Sequence, residues 1–220
     1  VRQTWAHGLF VANQFHALLR DGRVRRIAVH NWAGTNKQLA YISAGELSYV
    51  LTPHGQGSLA TTPYQLAAPG FATKMFAEVA DGATAIAPLA IEYSPEVSAA
   101  GLPSYPAIHG WRFTTPGGVN RAIFVNSSAT DYDVYLGGVV STASLLRQVS
   151  GNPRTYVTGE NTTLLRRFSA DTPSTLRLPA YSITTIGAVA DIVTTTASAG
   201  LPTFTSPTLR RFAIVSLLGL

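Results

Sequence analysis

Residues 4–32 read TWAHGLFVANQFHALLRDGRVRRIAVHNW, and their spacing decides the fold class. Apolar residues fall at Trp5, Leu9, Ala12, Phe15 or His16, and Leu19, steps that put them on one helical face. Thr4 is placed to cap the start of a helix over 4–19, and Asp21-Gly22 to close it. Residues 24–30 then alternate and end in the apolar run Ile27-Ala28-Val29, short enough for a buried strand. A helix, a tight turn, an apolar strand and the polar tip His30-Asn31-Trp32 form an α/β unit rather than an all-β one.

Outward from this unit, the pattern weakens over 31–62, where Gly34, Gly45, Pro53, Gly55 and Gly57 stand among polar residues. So long a loop at a strand tip is usually functional. A second helix is expected over 69–80, with Ala72, Met75, Phe76 and Val79 on its apolar face and Asp81-Gly82 ending it. Beyond Gly82 the period falls to two. Strands are expected over 83–92, 108–114, 119–126, 132–136, 144–150, 164–169 and 181–186. Pro116-Gly117-Gly118, Gly137-Gly138 and Gly151-Asn152-Pro153 separate some of them, the pattern of an antiparallel sandwich. Residues 188–220 are rich in Thr, Ser, Ala and Pro and read as a poorly ordered tail. Their last apolar run, 212–220, sketches a short lipid-anchor signal but falls far below the ~20 residues of a membrane helix.

Composition narrows the function. With 46% hydrophobic residues in 220, the chain can bury a core and is not disordered. The absence of cysteine excludes disulfide scaffolds, thiolate zinc sites and cysteine nucleophiles. The net charge of +5 suggests nucleic acid at first. Fourteen of the sixteen cations are arginine, however, and they are spread thinly, as Arg23, Arg25 and Arg26, then Arg166 and Arg167, then Arg210 and Arg211, rather than gathered on one stretch with aromatics between. This is a surface poor in carboxylates, and no nucleic-acid partner is expected. The chain opens at Val1 without methionine and runs at once into the amphipathic segment, which reads as a piece of a longer protein.

Few motifs carry chemistry. No phosphate-binding loop and no glycine-x-serine-x-glycine elbow is present. His7, His16, His30, His54 and His109 lack metal-ligand spacing, since His7 and His16 are half a turn out of phase on one helix. Glu78, Glu92, Glu96 and Glu160 read as solvated surface charges, and Glu46 as a loop carboxylate. The richest spot is His30-Asn31-Trp32. It follows an apolar strand, and in parallel α/β folds the carboxyl end of a strand faces the ligand crevice. Histidine and asparagine bind hydroxyl groups in both directions, and tryptophan offers a flat face to the C–H side of a sugar. The plainer alternative is a strand-end histidine beside a buried tryptophan.

The order of segments resembles the C-terminal part of clan A glycoside hydrolases, of the α-L-arabinofuranosidase-like and heparanase-like kind. Thr4-Trp5-Ala6-His7-Gly8-Leu9-Phe10-Val11-Ala12 and residues 23–32 carry the barrel part of the likeness. Tyr105-Pro106-Ala107-Ile108-His109-Gly110-Trp111-Arg112-Phe113 leads into a sheet. Ala122-Ile123-Phe124-Val125-Asn126-Ser127-Ser128 resembles a sandwich strand, and Leu178-Pro179-Ala180-Tyr181-Ser182-Ile183-Thr184 the closing one. The resemblance implies an α+β fragment: the last βα elements of a (β/α)8 barrel over 1–82, then an antiparallel β-sandwich over 83–187. It makes 4–19 the seventh barrel helix, 24–30 the eighth strand and 69–80 the eighth helix.

It also places both catalytic carboxylates upstream of Thr4, so this chain holds no catalytic residue and is expected to be inactive alone. His30, Asn31 and Trp32 would line a sugar subsite. A carbohydrate substrate and an extracellular setting follow from the likeness, and the residues themselves give no reason to expect a cofactor or a metal. Asn126-Ser127-Ser128 and Asn161-Thr162-Thr163 match the glycosylation pattern at Asn126 and Asn161. Cut from a barrel, the two helices would expose their apolar faces. The competing reading is a non-catalytic β-sandwich module that binds carbohydrate or protein.

Overall fold

The computed structural model describes residues 4–24, 27, 33–34, 42–43, 49–51, 57–59, 68–98, 103–140, 145–155, 157, 164–169 and 172–187. Helix α1 spans Trp5–Arg20. Thr4 stands at its N-cap, where its carbonyl accepts from the His7 N–H, although its side chain makes no capping bond. The Asp21 N–H closes the far end on the Leu18 carbonyl. Four short strands follow. β1 (Ala33–Gly34) pairs in parallel with β2 (Ile42–Ser43), and β3 (Tyr49–Leu51) pairs antiparallel with β4 (Gly57–Leu59). Strand pairing thus interrupts a stretch that the sequence presents only as loop. Helix α2 covers Ala68–Ala80, and Gly82 turns the chain away with a φ of 68°. Such a left-handed residue is where glycine costs least.

The remaining strands are β5 (Ala85–Pro88), β6 (Glu96–Val97), β7 (Tyr105–Pro106), β8 (Ile108–Thr114), β9 (Asn120–Asn126), β10 (Tyr132–Tyr135), β11 (Leu146–Ser150), β12 (Leu165–Ser169), β13 (Thr175–Leu178) and β14 (Ser182–Ile186). Six form one antiparallel sheet in the order β12-β11-β14-β9-β8-β5. β10 and β13 form a separate two-stranded ribbon, and β6 pairs with β7. The class is α+β with antiparallel sheets.

Strand β9 shows why both faces of the large sheet must be covered. Ala122, Ile123, Phe124 and Val125 are all buried, and successive side chains of a strand point to opposite faces. Ile123 and Val125 join Trp111, Phe113, Val149 and Ile183 in one core with the apolar faces of both helices. Ala122 and Phe124 join Ile108, Leu146 and Ile186 in a second core, closed by Leu176 and Leu178 of the ribbon. Among the described residues, the expected sandwich is therefore a sheet between a helical layer and a two-stranded ribbon.

This arrangement corrects the expectation of exposed helix faces. Trp5, Leu9, Val11, Ala12 and Phe15 of α1 are buried, as are Phe71, Ala72, Met75, Phe76 and Val79 of α2. Phe15 meets Phe76 edge-on, with centroids 5.0 Å apart. The helices come close at Gly8, where a Cβ would stand 2.7 Å from the Ala68 carbonyl oxygen. Phe10 and Leu18, outside the apolar stripe, remain exposed.

Candidate functional site

His30, Asn31 and Trp32 lie outside the described residues, as do Glu46, Glu160, Asn161 and the tail 188–220. Of the strand expected over 24–30, Val24 and Ile27 are described and belong to no strand; Ile27 packs, partly buried, against the helix–sheet core.

Asn126 is described, and its side chain is held inside the fold. The residue is 0% exposed. Its Nδ2 donates to the carbonyls of Thr130 (2.8 Å), Pro179 (2.9 Å) and Leu178 (3.2 Å), while its Oδ1 accepts from the Ser128 N–H and hydroxyl. A nitrogen so engaged has no room for a glycan in the folded protein. Asn126 instead ties the turn after β9 to the approach of β14.

A second correction concerns Glu78, which is not a solvated charge. Its side chain is 10% exposed and accepts from Arg147 Nη1 of β11 at 2.5 and 2.6 Å, with Lys74 3.7 Å away on the preceding turn. Arg121 of β9 donates to the Asp81 carbonyl at 2.7 Å and the Glu78 carbonyl at 3.3 Å, satisfying acceptors that α2 leaves open at its C-terminus. Glu92 and Glu96 are exposed, as the sequence suggests. Asp131 and Asp133 share Arg177 on the solvent side of the ribbon.

The seam between α1 and β8 brings together titratable groups that spacing alone does not connect. His16 and His109 stack with ring centroids 3.8 Å apart and planes inclined by 37°. Trp111, two residues beyond His109 and so on the same face of β8, donates its indole N–H to His16 Nδ1 at 2.8 Å. His16 therefore carries its own ring proton on Nε2. His109 is 8% exposed. Its ring bonds to the backbone of Pro106, which offers only a carbonyl, and its Nε2 is buried with no hydrogen-bond partner among the described residues.

Both rings resist protonation. Burial lowers the pKa of His16 to about 4, helped by the positive charge of Arg20. Burial lowers that of His109 to about 3, with His16 and Arg20 adding to the effect and the Pro106 bond opposing it. Among the described residues, no three His, Cys, Asp or Glu side chains gather to hold a metal. None of the described helices is long and apolar enough to cross a membrane. The sequence did contain one clue to this cluster: the i, i+2 pair His109 and Trp111 points both rings to one side of a strand.

No protein-family model matches the chain, and no curated protein does. Among solved structures, it is similar to the GH51 arabinofuranosidase from Xanthomonas axonopodis pv. citri, with 17% identity over 43% of this chain and a TM-score of 0.30. It is also similar to a 4-O-α-L-rhamnosyl-β-D-glucuronidase from Fusarium oxysporum 12S, with 13% identity over 56% of this chain and a TM-score of 0.35. The chain spans 21% of the first enzyme's length and 30% of the second's.

Proposed function

We propose that the chain is the C-terminal portion of a glycoside hydrolase acting on oligo- or polysaccharide. It ends a (β/α)8 barrel over 1–82 and continues into an accessory β-sandwich over 83–187, with a tail over 188–220. One observation carries this reading. The segments bearing the resemblance, far apart in the chain, meet: β14 pairs with β9 so that Ser182 lies opposite Asn126, and the Trp5 indole donates to the Tyr181 carbonyl. Likeness spread over separate stretches is more informative when those stretches form one packed unit.

On this reading His30, Asn31 and Trp32 line a sugar subsite, both catalytic carboxylates belong to upstream sequence, and the parent is extracellular. Expression of the parent gene product and of this chain, each assayed on aryl glycosides and oligosaccharides, tests it. The parent should hydrolyse a glycoside through upstream carboxylates, and this chain alone should not. In the parent, Trp32→Ala should raise KM more than it lowers kcat, because stacking binds substrate and transition state alike. A parent without glycosidase activity would overturn the reading. The buried helix faces favour the second reading, a non-catalytic module, since they need no further neighbour to be covered. Sugar binding by an inactive parent would establish it.

A further inference from the structure

We infer that the stacked His16–His109 pair is an acid-sensitive clasp: a proton on either ring breaks the contact that seats α1 on β8, so acid loosens this helix before the sheet unfolds. The geometry requires it. His16 Nδ1 already accepts from the Trp111 indole at 2.8 Å. A second ring proton at Nδ1 would set two N–H donors against each other, and the helix would have to move. A proton on His109 Nε2 would be buried with no acceptor among the described residues, against an imidazole whose centroid is 3.8 Å away.

The described groups around the pair offer no compensation. Arg20, on α1, adds positive charge to both rings. β8 presents Trp111, a donor. β5, on the outer edge of β8, carries only Ala85, Ile86, Ala87 and Pro88. The described charges on α2 that pair across the core, Lys74 and Glu78, are gathered with Arg147 of β11. The carboxylate neighbour that would stabilise an imidazolium is missing among the described residues of these elements.

The pH dependence has a definite sign. Both folded pKa values lie below the ordinary 6.5, so the unfolded chain binds protons that the folded chain refuses. The stabilisation is complete above about pH 6.5 and is lost as pH falls toward about 4 for His16 and about 3 for His109.

Amide hydrogen exchange on the full chain, corrected for intrinsic rates, tests the clasp at about pH 7 and about pH 4.5. Protection in α1 should fall by roughly tenfold or more at the lower pH while that of β9 and β14 holds. The His16→Gln/His109→Phe variant keeps an acceptor for Trp111 and a ring against it, and its α1 should show no such fall. An equal loss in the variant, or a loss shared by all strands, would overturn the proposal. A ring-proton titration of the native histidines decides independently if the variant does not fold. Midpoints below about 5 for both rings support the clasp, and midpoints near the ordinary ~6.5 in the folded chain refute it.

Discussion

Trp5 donates its indole N–H to the carbonyl of Tyr181 at 2.6 Å, across 176 residues of chain. Its ring is 0% exposed and belongs to the core shared by both helices and the sheet. Tyr181 has a φ of 50°, a conformation unfavourable for a residue with a Cβ, and the bond from Trp5 helps to hold it. The adjoining backbone adds two more ties, from the Trp5 N–H to the Thr155 carbonyl and from the Ala6 N–H to the Pro153 carbonyl. The start of α1 is thereby fixed to the loops of the sheet.

Trp5→Phe should keep most of the apolar contact but leave the Tyr181 carbonyl without its donor, costing about 1–3 kcal/mol. Trp5→Ala should cost about 3–5 kcal/mol, since it also opens a cavity. Urea unfolding of the two variants measures both. Equal losses would show that the hydrogen bond contributes nothing beyond ring burial.

Gly8→Ala sets two effects against each other. In a helix interior, alanine is favoured over glycine by about 1 kcal/mol. Here the added Cβ would meet the Ala68 carbonyl oxygen at 2.7 Å and the Trp5 ring at 3.0 Å. A backbone oxygen cannot swing aside, so the overlap should win and the variant should lose about 1–3 kcal/mol net. A thermal midpoint above that of the native chain would mean that the helices are farther apart than described.

The Glu78–Arg147 pair should behave as a buried ion pair. Glu78→Gln or Arg147→Met alone leaves one charge buried beside α2 and should destabilise by about 3–5 kcal/mol. Replacing both, as Glu78→Leu with Arg147→Met, should recover most of that loss, because two apolar groups of similar volume need no partner. A double-mutant cycle in denaturant checks the coupling. Additive losses would place the two charges in water.

Asn126→Asp retains an acceptor for Ser128 but replaces the amide donor facing three carbonyls with a charged oxygen. A loss above about 3 kcal/mol is expected, the range of an uncompensated buried charge. The same geometry forecasts that folded protein from a eukaryotic secretory host carries no glycan on Asn126. Mass spectrometry of the peptide spanning 121–147, after treatment with a deglycosylase, reads this directly, and a glycan there on folded protein would contradict the burial.

Much of the fold is legible in the residues. Helix α1 runs within a residue of the expected 4–19 because its apolar spacing and its Asp-Gly stop agree, and α2 ends where Asp81-Gly82 ends it. Strands β8, β9, β10, β11, β12 and β14 fall inside the expected runs, which alternate and are punctuated by turns. β13 lies outside those runs, since Thr175-Leu176-Arg177-Leu178 is short and leads straight into Pro179. What covers each sheet face was also hidden. A run such as Ala122-Ile123-Phe124-Val125 announces that both faces are buried but not whether a helix or a strand buries them. The His16–His109 contact and the Glu78–Arg147 pair were illegible for the same reason. Each joins a helix to a strand far along the chain, and a charge on a helix looks solvated until its tertiary partner is known.

The seating of α1 on β9 and β14 bears on how the chain acquires its shape during synthesis. The helix leaves the ribosome well over a hundred residues before the last strand it leans on, and a lone helix of this length is marginal in water. Until β8 and β9 arrive, Trp5, Leu9, Val11 and Phe15 have no sheet beneath them, and until β14 arrives that sheet lacks Ile183 and the Tyr181 carbonyl that takes the Trp5 indole N–H. Maturation must then wait for the most distant partner, and nascent chains should be slow to mature and sticky in the interval, the condition under which chaperones bind.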